Sequence, residues 1–196
     1  MKWHFPQKYV VGLTGSMASG KSTVLSYFAK QGAAVISADE VVRSLYKRPS
    51  VRRALISLFG TAEPEKIASQ VFDSADKKKQ LENVLYPSVL AELTRWLKAA
   101  PKGICVVEVP LLFEAGWHTL TDLNVLVIAP QKTVSVRLAA RGLTVAQYRK
   151  RVRTQMPDKQ KRTLADITLC NNGTKTDLAH QVARLYKALQ TIYSFQ

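Results

Sequence analysis

A short loop near the start of the chain has the residue types and spacing that bind nucleotide phosphates. The loop reads Gly15-Ser16-Met17-Ala18-Ser19-Gly20-Lys21-Ser22 and is followed by Thr23. These eight residues fit the pattern G-x-x-x-x-G-K-[ST]. Glycines let such a loop wrap a phosphate closely, and the amides of the loop and the next helix converge on the anion. In this pattern the lysine bridges the β- and γ-phosphates, and the hydroxyl after it binds Mg²⁺. An accidental match in a chain of this length is roughly a one-in-a-hundred event.

Asp39 is the first candidate for acid–base chemistry. It comes just beyond a predicted strand over residues 34–37, and the ends of parallel strands face the same cleft as the loop. Its carboxylate could accept a proton from an attacking hydroxyl. It could equally cap the helix predicted over residues 40–46. Residue chemistry alone leaves both roles open.

Glu108 is a candidate metal ligand at the end of another predicted strand, over residues 104–109. A carboxylate in that place can hold Mg²⁺, usually through water. The alternative is a solvated strand end. The run Leu111-Leu112-Phe113 that follows is more typical of a core, although it could floor a binding groove.

The densest basic stretch of the chain follows a fourth predicted strand, over residues 124–129. Its arginines could neutralise charge on a transferring phosphoryl group. A solvated helix face is the alternative for most single residues, yet such faces normally mix both signs, and here Asp158 is the only acid. We therefore expect some of these side chains to contact phosphate. The stretch contains Arg137, Arg141, Arg149, Lys150, Arg151, Arg153, Lys159, Lys161 and Arg162.

Composition places the chain among globular proteins with one domain, or with one core and insertions. It has 196 residues, of which 46% are hydrophobic and 22% charged. No apolar run approaches the roughly 20 residues of a membrane span, and no signal-peptide pattern follows the first residues. Cys105 and Cys170 form neither a disulfide framework nor a zinc-ligand spacing, and the three histidines have no partner spacing. These features predict a cytoplasmic protein. The sequence does not give the oligomeric state, and a monomer is slightly favoured.

The net charge is the unusual number. Lysine and arginine total 29 against 14 acidic residues, which gives +15 and a pI near 10.0. Such a balance favours polyanionic partners, namely nucleic acid, an anionic membrane or phosphorylated small molecules. The charge alone does not choose among them.

Short apolar strands alternate with helical patterns along the chain, which predicts an α/β fold with a parallel, five-stranded sheet covered on both faces. Two segments interrupt this alternation. Residues 43–101 are mostly helical, with a long helix over residues 75–99, and residues 144–162 lie before the last strand. Both are expected to leave the sheet at the edge that binds ligands.

Taken together, these sequence features resemble those of the dephospho-coenzyme A kinase family over about residues 9–193. The phosphate loop alone is generic, whereas Pro-Leu-Leu-Phe-Glu combined with Ala-Asp-x-x-x-Arg is typical of the family. The resemblance rests on Gly12-Leu13-Thr14-Gly15, Ser19-Gly20-Lys21-Ser22-Thr23, Ala38-Asp39-Glu40-Val41-Val42-Arg43, Val71-Phe72, Leu81-Glu82 before Tyr86-Pro87, Val109-Pro110-Leu111-Leu112-Phe113-Glu114-Ala115-Gly116, Gln155-Met156, Lys161-Arg162, Ala165-Asp166 and Asn172-Gly173.

The resemblance implies a reaction and a layout. ATP, with Mg²⁺, would phosphorylate the ribose 3′-hydroxyl of dephospho-CoA to give CoA and ADP, the last step of CoA synthesis. The family's fold is a three-layer α/β/α core related to the nucleoside monophosphate kinases. It would comprise a core (about residues 1–42, 102–143 and 163–196), a helical CoA-binding insertion (about 43–101) and a small lid (about 144–162).

The resemblance also implies residue roles. Asp39 would be the base and Arg43 a contact on the substrate side. Arg141 and the lid arginines would bind phosphate, with Arg137 at the nucleotide and the turn from Asn171 to Gly173 near adenine. Further substrate contacts would come from Thr14, Tyr86, Leu111, Phe113 and Glu114.

The sequence departs from the family pattern in four respects, which involve five residues. Two loop glycines are Ser16 and Ala18 here, which the loop should tolerate if φ stays negative at both. The first Asp of the family's Asp-Ala-Asp is Ser37, which leaves Asp39 as the sole carboxylate there. The usual Asp before Val-Pro-Leu-Leu is Glu108, and the usual His before proline is Tyr86.

Two other functions remain open at this stage. A kinase with the same loop could act on another small hydroxyl or phosphate acceptor. A nucleic-acid-binding ATPase would explain the charge, but it predicts basic clusters outside the cleft and strongly salt-dependent binding of polynucleotides. The sequence has no recognisable nucleic-acid module, and its basic density peaks in the predicted lid, so no specific nucleic-acid or membrane partner is expected.

Overall fold

Five parallel strands form the central sheet of a computed structural model that describes residues 2–72, 74–140, 142 and 155–194. The strands follow the spatial order β2-β3-β1-β4-β5, and β1 pairs in parallel with both β3 and β4, as β4 does with β5. The predicted α/β fold with a five-stranded parallel sheet is confirmed. The strands are β1 Lys8–Thr14, β2 Ala34–Ser37, β3 Gly103–Glu108, β4 Leu123–Ile128 and β5 Ile167–Cys170.

Eight α-helices lie within the described residues, along with a 3₁₀ turn at Trp117–Thr119. The long helix predicted over residues 75–99 is present and contains Pro87. The helix over Pro64–Phe72 was not predicted from the sequence as a separate element. None of the described helices is both long enough and apolar enough to span a bilayer. The helices are α1 Lys21–Lys30, α2 Ala38–Leu45, α3 Pro49–Phe59, α4 Pro64–Phe72, α5 Ala75–Ala99, α6 Gln131–Ala139, α7 Asp158–Leu164 and α8 Lys175–Ser194.

The sheet is buried on both faces, as the near-continuous apolar strands predicted. Val11 and Leu13 of β1 join a core with Phe28 of α1 and Val182 of α8. Residues of the opposite parity, such as Val10, are fully buried too. The crossovers that join parallel strands put helices on both faces of the sheet, so residues of both parities along a strand become buried.

The chain divides into two compact units. One contains Met1–Ile36 and Ala100–Gln196, and the other, Ser37–Ala99, contains helices α2 to α5. The second unit overlaps the predicted insertion of residues 43–101. Of the predicted lid, residues 144–154 lie outside the described residues, whereas residues 158–162 form most of α7.

Helix α5 is the centre of the helical unit. Leu85, Val89, Leu93 and Leu97 recur every four residues and are buried, so one stripe of α5 packs against α2, α3 and α4. On another side, Glu92 accepts from Arg48 at 2.6 Å and from Arg95 at 2.6 Å. The hydrogen bond from Arg48 holds the pKa of Glu92 below its ordinary value of 4.5.

This lowered pKa predicts a pH-dependent contribution to stability. A carboxylate whose pKa falls on folding stabilises the protein above its unfolded pKa, and the contribution disappears as the pH drops through the folded value. We expect Glu92→Gln to lower the free energy of unfolding near pH 7, and the deficit to shrink below pH 4.5. Urea unfolding across pH 3 to 7 measures this deficit. Glu82→Gln is the control, because the Glu82 carboxylate lies 3.9 Å from the Lys78 ammonium, farther than Glu92 lies from its partners. A deficit independent of pH would contradict this origin.

Candidate functional site

The phosphate loop joins the end of β1 to the start of α1, and its glycines are required by geometry. Gly15 has φ of +151°, and a side chain there would collide with the carbonyl oxygen of Val127 in β4. Gly20 has φ of +107°, and a side chain would collide with the amide of Asn171. Only glycine allows both the backbone conformation and these close approaches.

Ala18 corrects one expectation from the sequence. Its φ is +62°, in the left-handed region, so the condition that φ stays negative at Ser16 and Ala18 fails at Ala18. This conformation costs a non-glycine residue about 1–2 kcal/mol. The methyl group of Ala18 is buried against Val134 and Leu138 of α6, which offsets part of that cost.

Two side chains from distant parts of the chain hold the loop carbonyls. Arg137 of α6 donates to the carbonyls of Ala18 at 3.0 Å and Ser19 at 3.1 Å. Asn171, buried just after β5, donates to the Ser19 carbonyl at 2.8 Å. A trans peptide points its N–H opposite to its C=O. Holding these two carbonyls therefore turns the amides of Ser19 and Gly20 to the other side, toward the interior of the loop.

Lys21 lies across the loop that precedes it. Its ammonium donates to the carbonyls of Gly15 at 2.8 Å and Ser16 at 3.1 Å. Ser22 is exposed in the first turn of α1, and Thr23 beside it is half-buried. The first turn of α1 contains no acidic residue, so its amides and the lysine form a positive site.

The segment after β3 supports the loop from beside β1. Residue Glu108 pairs in register with Leu13 and is buried, so the alternative of a solvated strand end is wrong. The Thr14 hydroxyl, fully buried, donates to the Pro110 carbonyl at 3.1 Å. Phe113 is buried with its ring 5.4 Å from that of His118. Substrate contact by Thr14 and Phe113 stays a prediction, and both have internal contacts.

Glu114 and Lys161 form a buried ion pair that the sequence did not reveal. Their Oε1 and Nζ atoms lie 3.0 Å apart, and the Lys161 side chain is 0% exposed. The same oxygen accepts the Met156 amide at 2.9 Å. Lys161 was predicted as one of the cations that could meet phosphate, and its burial in this pair contradicts that role. A second unexpected contact joins Ser16 to Asp158, with Oγ donating to Oδ1 at 2.5 Å.

Asp39 lies in the helical unit, where it is exposed within the first turn of α2. The N-cap position is Ser37, so the alternative that Asp39 caps this helix is wrong. Glu40 shares the first turn, where negative charge is favourable. Arg43, one turn later, donates from Nε to the Asp39 carbonyl at 3.3 Å.

The remaining predicted site residues are spread over several places. Tyr86 is half-buried on α5, and Leu111 is half-buried after β3. Gly173 leaves no room for a side chain beside Asp177. Arg141, predicted to bind phosphate, lies outside the described residues, as do four cations of the predicted lid, namely Arg149, Lys150, Arg151 and Arg153.

A parallel sheet with this loop between β1 and α1 defines a P-loop protein of the kinase type, and comparison with known proteins identifies the family. The family profile of dephospho-CoA kinase matches residues 9–177. A dephospho-CoA kinase of Brucella abortus (strain 2308) is 35% identical over 92% of this chain and 94% of its own length. One of Arabidopsis thaliana is 37% identical over 90% of this chain and 82% of its own length.

A solved structure from Thermus thermophilus matches with a TM-score of 0.82 at 30% identity, covering 93% of this chain and 98% of that one. The chain belongs to the dephospho-CoA kinase family.

The shared carbonyl of Ser19 makes a prediction about stability. Removing either donor leaves the other in place, so Arg137→Ala and Asn171→Ala should each cost about 1 kcal/mol of unfolding free energy. The double variant should lose roughly 1 kcal/mol more unfolding free energy than the two single variants together, because only then does the buried Ser19 carbonyl lose both donors. Urea unfolding measures the cycle, with Lys132→Ala as an exposed control on α6. Strict additivity would show that the two donors do not share one acceptor.

Proposed function

We propose that this protein transfers the γ-phosphoryl group of ATP to the ribose 3′-hydroxyl of dephospho-CoA, giving CoA and ADP. The observation that carries the proposal is a complete phosphate loop, with carbonyls held by Arg137 and Asn171, in a chain that belongs to this kinase family. A general P-loop kinase of another acceptor would share the loop, so the acceptor rests on the family.

Lys21 and the loop amides supply the electrostatic part of catalysis. During transfer, negative charge shifts along the β- and γ-phosphates, and preorganised donors that meet it lower the barrier. The Lys21 ammonium, now 2.8 Å from the Gly15 carbonyl, is within side-chain reach of an anion held by the same loop. The Gly20 amide is turned toward that position because the carbonyl of the same peptide, that of Ser19, is held by Arg137 and Asn171.

Asp39 is the proposed base. A ribose hydroxyl is a poor nucleophile at neutral pH, and a carboxylate in contact with it can orient it and accept its proton as the new bond forms. In the part of the chain that the structure describes, no hydrogen bond or ion pair engages the Asp39 carboxylate, and the side chain is exposed. Arg43 on the same helix is the proposed substrate contact beside it.

Ser22 and Glu108 are the proposed residues around Mg²⁺. The donor set fits this ion, since hydroxyl and carboxylate oxygens are hard ligands, and Glu108 is a buried carboxylate paired in register with the end of β1. When bound, Mg²⁺ would neutralise charge on the β- and γ-phosphate oxygens. Ser22 would hold the ion through its hydroxyl oxygen, and Glu108 would hold it through water.

The other assignments follow from the family resemblance. Arg141 and Arg137 would face the nucleotide phosphates, and the turn ending at Gly173 would lie near adenine. Because the Asn171 amide already binds Ser19, its own part is to hold the loop. Tyr86, Leu111, Phe113 and Glu114 stay predicted substrate contacts.

The cellular setting is proposed on the same footing. Both cysteines are free, with Cys105 buried and its thiol pKa raised by burial, which suits a reducing cytoplasm. A monomer is proposed. Most of the surplus positive charge lies outside the helical unit, in the unit with the phosphate loop, which suits two highly anionic substrates.

The acceptor is tested by ADP release with a panel of acceptors. We expect phosphorylation of dephospho-CoA and little turnover with adenosine or AMP, because only the former matches the family's substrate. Single-stranded RNA is included to test the ATPase alternative. ADP release stimulated by RNA but absent with dephospho-CoA would overturn the proposal.

Asp39→Asn tests the proposed base with Glu40→Gln as its matched control. Both variants remove one negative charge from the first turn of α2, so both should change stability equally, by about 1 kcal/mol at most. Only Asp39→Asn should lower turnover, by roughly 10²–10⁴, with ATP binding retained. Steady-state kinetics and thermal unfolding measure the two effects. Equal turnover in both variants would mean that the base lies elsewhere.

A further inference from the structure

A carboxylate lies directly against the phosphate loop. Asp158, at the start of α7, accepts the Ser16 hydroxyl at 2.5 Å, although 142 positions separate them in sequence. Hydrogen bonds from a hydroxyl to a carboxylate are short and about twice as strong as neutral ones. Ser16 is 6% exposed, so little water competes for its hydroxyl. A negative charge beside an anion-binding loop opposes phosphate by charge alone, which makes its position notable.

The helix that carries Asp158 is firmly attached to the core. Lys161, one turn along α7, is fully buried against Glu114, which also accepts the Met156 amide. Separating the partners of a buried ion pair would leave an uncompensated buried charge, so the pair holds α7 in place. Asp158 is therefore held at a fixed position rather than on a loose surface segment.

Ser16 is the point at which several loop contacts meet. Its carbonyl accepts the Lys21 ammonium at 3.1 Å and the Ser19 amide at 3.2 Å. Two residues later Ala18 has φ of +62°, a conformation that persists only where the surroundings fix it. Arg137 and Asn171 fix the second half of the loop, and the Ser16 side chain is the matching restraint on the first half.

We propose that Asp158 is a positioning residue that fixes the first half of the phosphate loop through the Ser16 hydroxyl. A loop already shaped for phosphate raises the affinity for nucleotide. This increase outweighs the repulsion between the Asp158 carboxylate and the nucleotide. This inference rests on the proposed nucleotide binding by the loop, but not on the identity of the phosphoryl acceptor.

The test measures the dissociation constant of ADP by calorimetry, which needs no acceptor, alongside steady-state kinetics. Ser16→Ala and Asp158→Ala should each weaken ADP binding by about five- to tenfold, and the double variant should be no weaker than either single one. Asp158→Asn keeps an acceptor oxygen for the Ser16 hydroxyl, so its loss should stay under about threefold. In the kinetics, KM for ATP should rise while KM for dephospho-CoA stays unchanged.

Gln160→Lys is the control for charge. It adds the same unit of positive charge on the exposed side of α7 without touching Ser16. If charge alone decides, Gln160→Lys and Asp158→Ala both tighten ADP binding. If Asp158 positions the loop, Asp158→Ala weakens ADP binding and Gln160→Lys does not. Tighter ADP binding by Asp158→Ala, or additive losses from Ser16→Ala and Asp158→Ala, would overturn the proposal. If Asp158→Ala does not fold, Ser16→Ala is compared with Asp158→Asn: positioning predicts a larger loss of ADP affinity in Ser16→Ala, whereas tighter ADP binding by Asp158→Asn would overturn the proposal.

Wild-type ADP binding separates this inference from the proposed function. A wild-type protein that binds ADP but does not phosphorylate dephospho-CoA would contradict the acceptor and leave the loop comparison fully measurable. A wild-type protein that does not bind ADP would contradict both.

Discussion

The phosphate loop depends on where its backbone carbonyls are held. Because each peptide is planar and trans, a carbonyl fixed in one direction sends the amide of its peptide in the other. Arg137 and Asn171 take the carbonyls of Ala18 and Ser19, so the Gly20 amide is left for an anion, whereas the Ser19 amide bonds the Ser16 carbonyl inside the loop. These restraints come from α6 and from the end of β5, and so the binding loop requires the assembled sheet.

The loop has costs that the surrounding structure offsets. Ala18 occupies a left-handed conformation, and Lys161 and Glu114, which attach the helix of Asp158, withdraw opposite charges from water. Burial of the Ala18 methyl against α6 offsets part of the first cost, and the attraction between the Lys161 and Glu114 charges offsets part of the second. The energy therefore goes into a fixed loop shape, and a preorganised site need not reorganise when charge develops during transfer.

The division of labour follows the two units of the chain. The unit with the sheet contains the loop and most of the excess positive charge, which suits binding of nucleotide phosphates in general. The helical unit contains Asp39, Arg43 and Tyr86, three of the residues that the family resemblance connects with the acceptor, whereas Thr14, Leu111, Phe113 and Glu114 belong to the unit with the loop. Kinases with a shared loop can thus differ in acceptor through such a unit, because the loop itself distinguishes little beyond phosphate.

Local pattern was enough to predict the five strands, the helix after the loop and the role of its glycines. Periodicity and glycine spacing are local properties, so these features need no tertiary information. The left-handed Ala18, the buried Lys161 and the Ser16–Asp158 contact were not predictable, because each depends on residues far apart in sequence. Asp158, the only acid in a basic stretch, was the one available signal for that contact.

The most direct test of this account is a crystal structure of the nucleotide-free protein at a resolution that defines the loop peptides. The account predicts Ala18 with φ near +62° and the carbonyls of Ala18 and Ser19 bonded to Arg137 and Asn171 before any nucleotide binds. A loop with negative φ at Ala18 and with these carbonyls released would contradict it, since the nucleotide would then have to build the site itself.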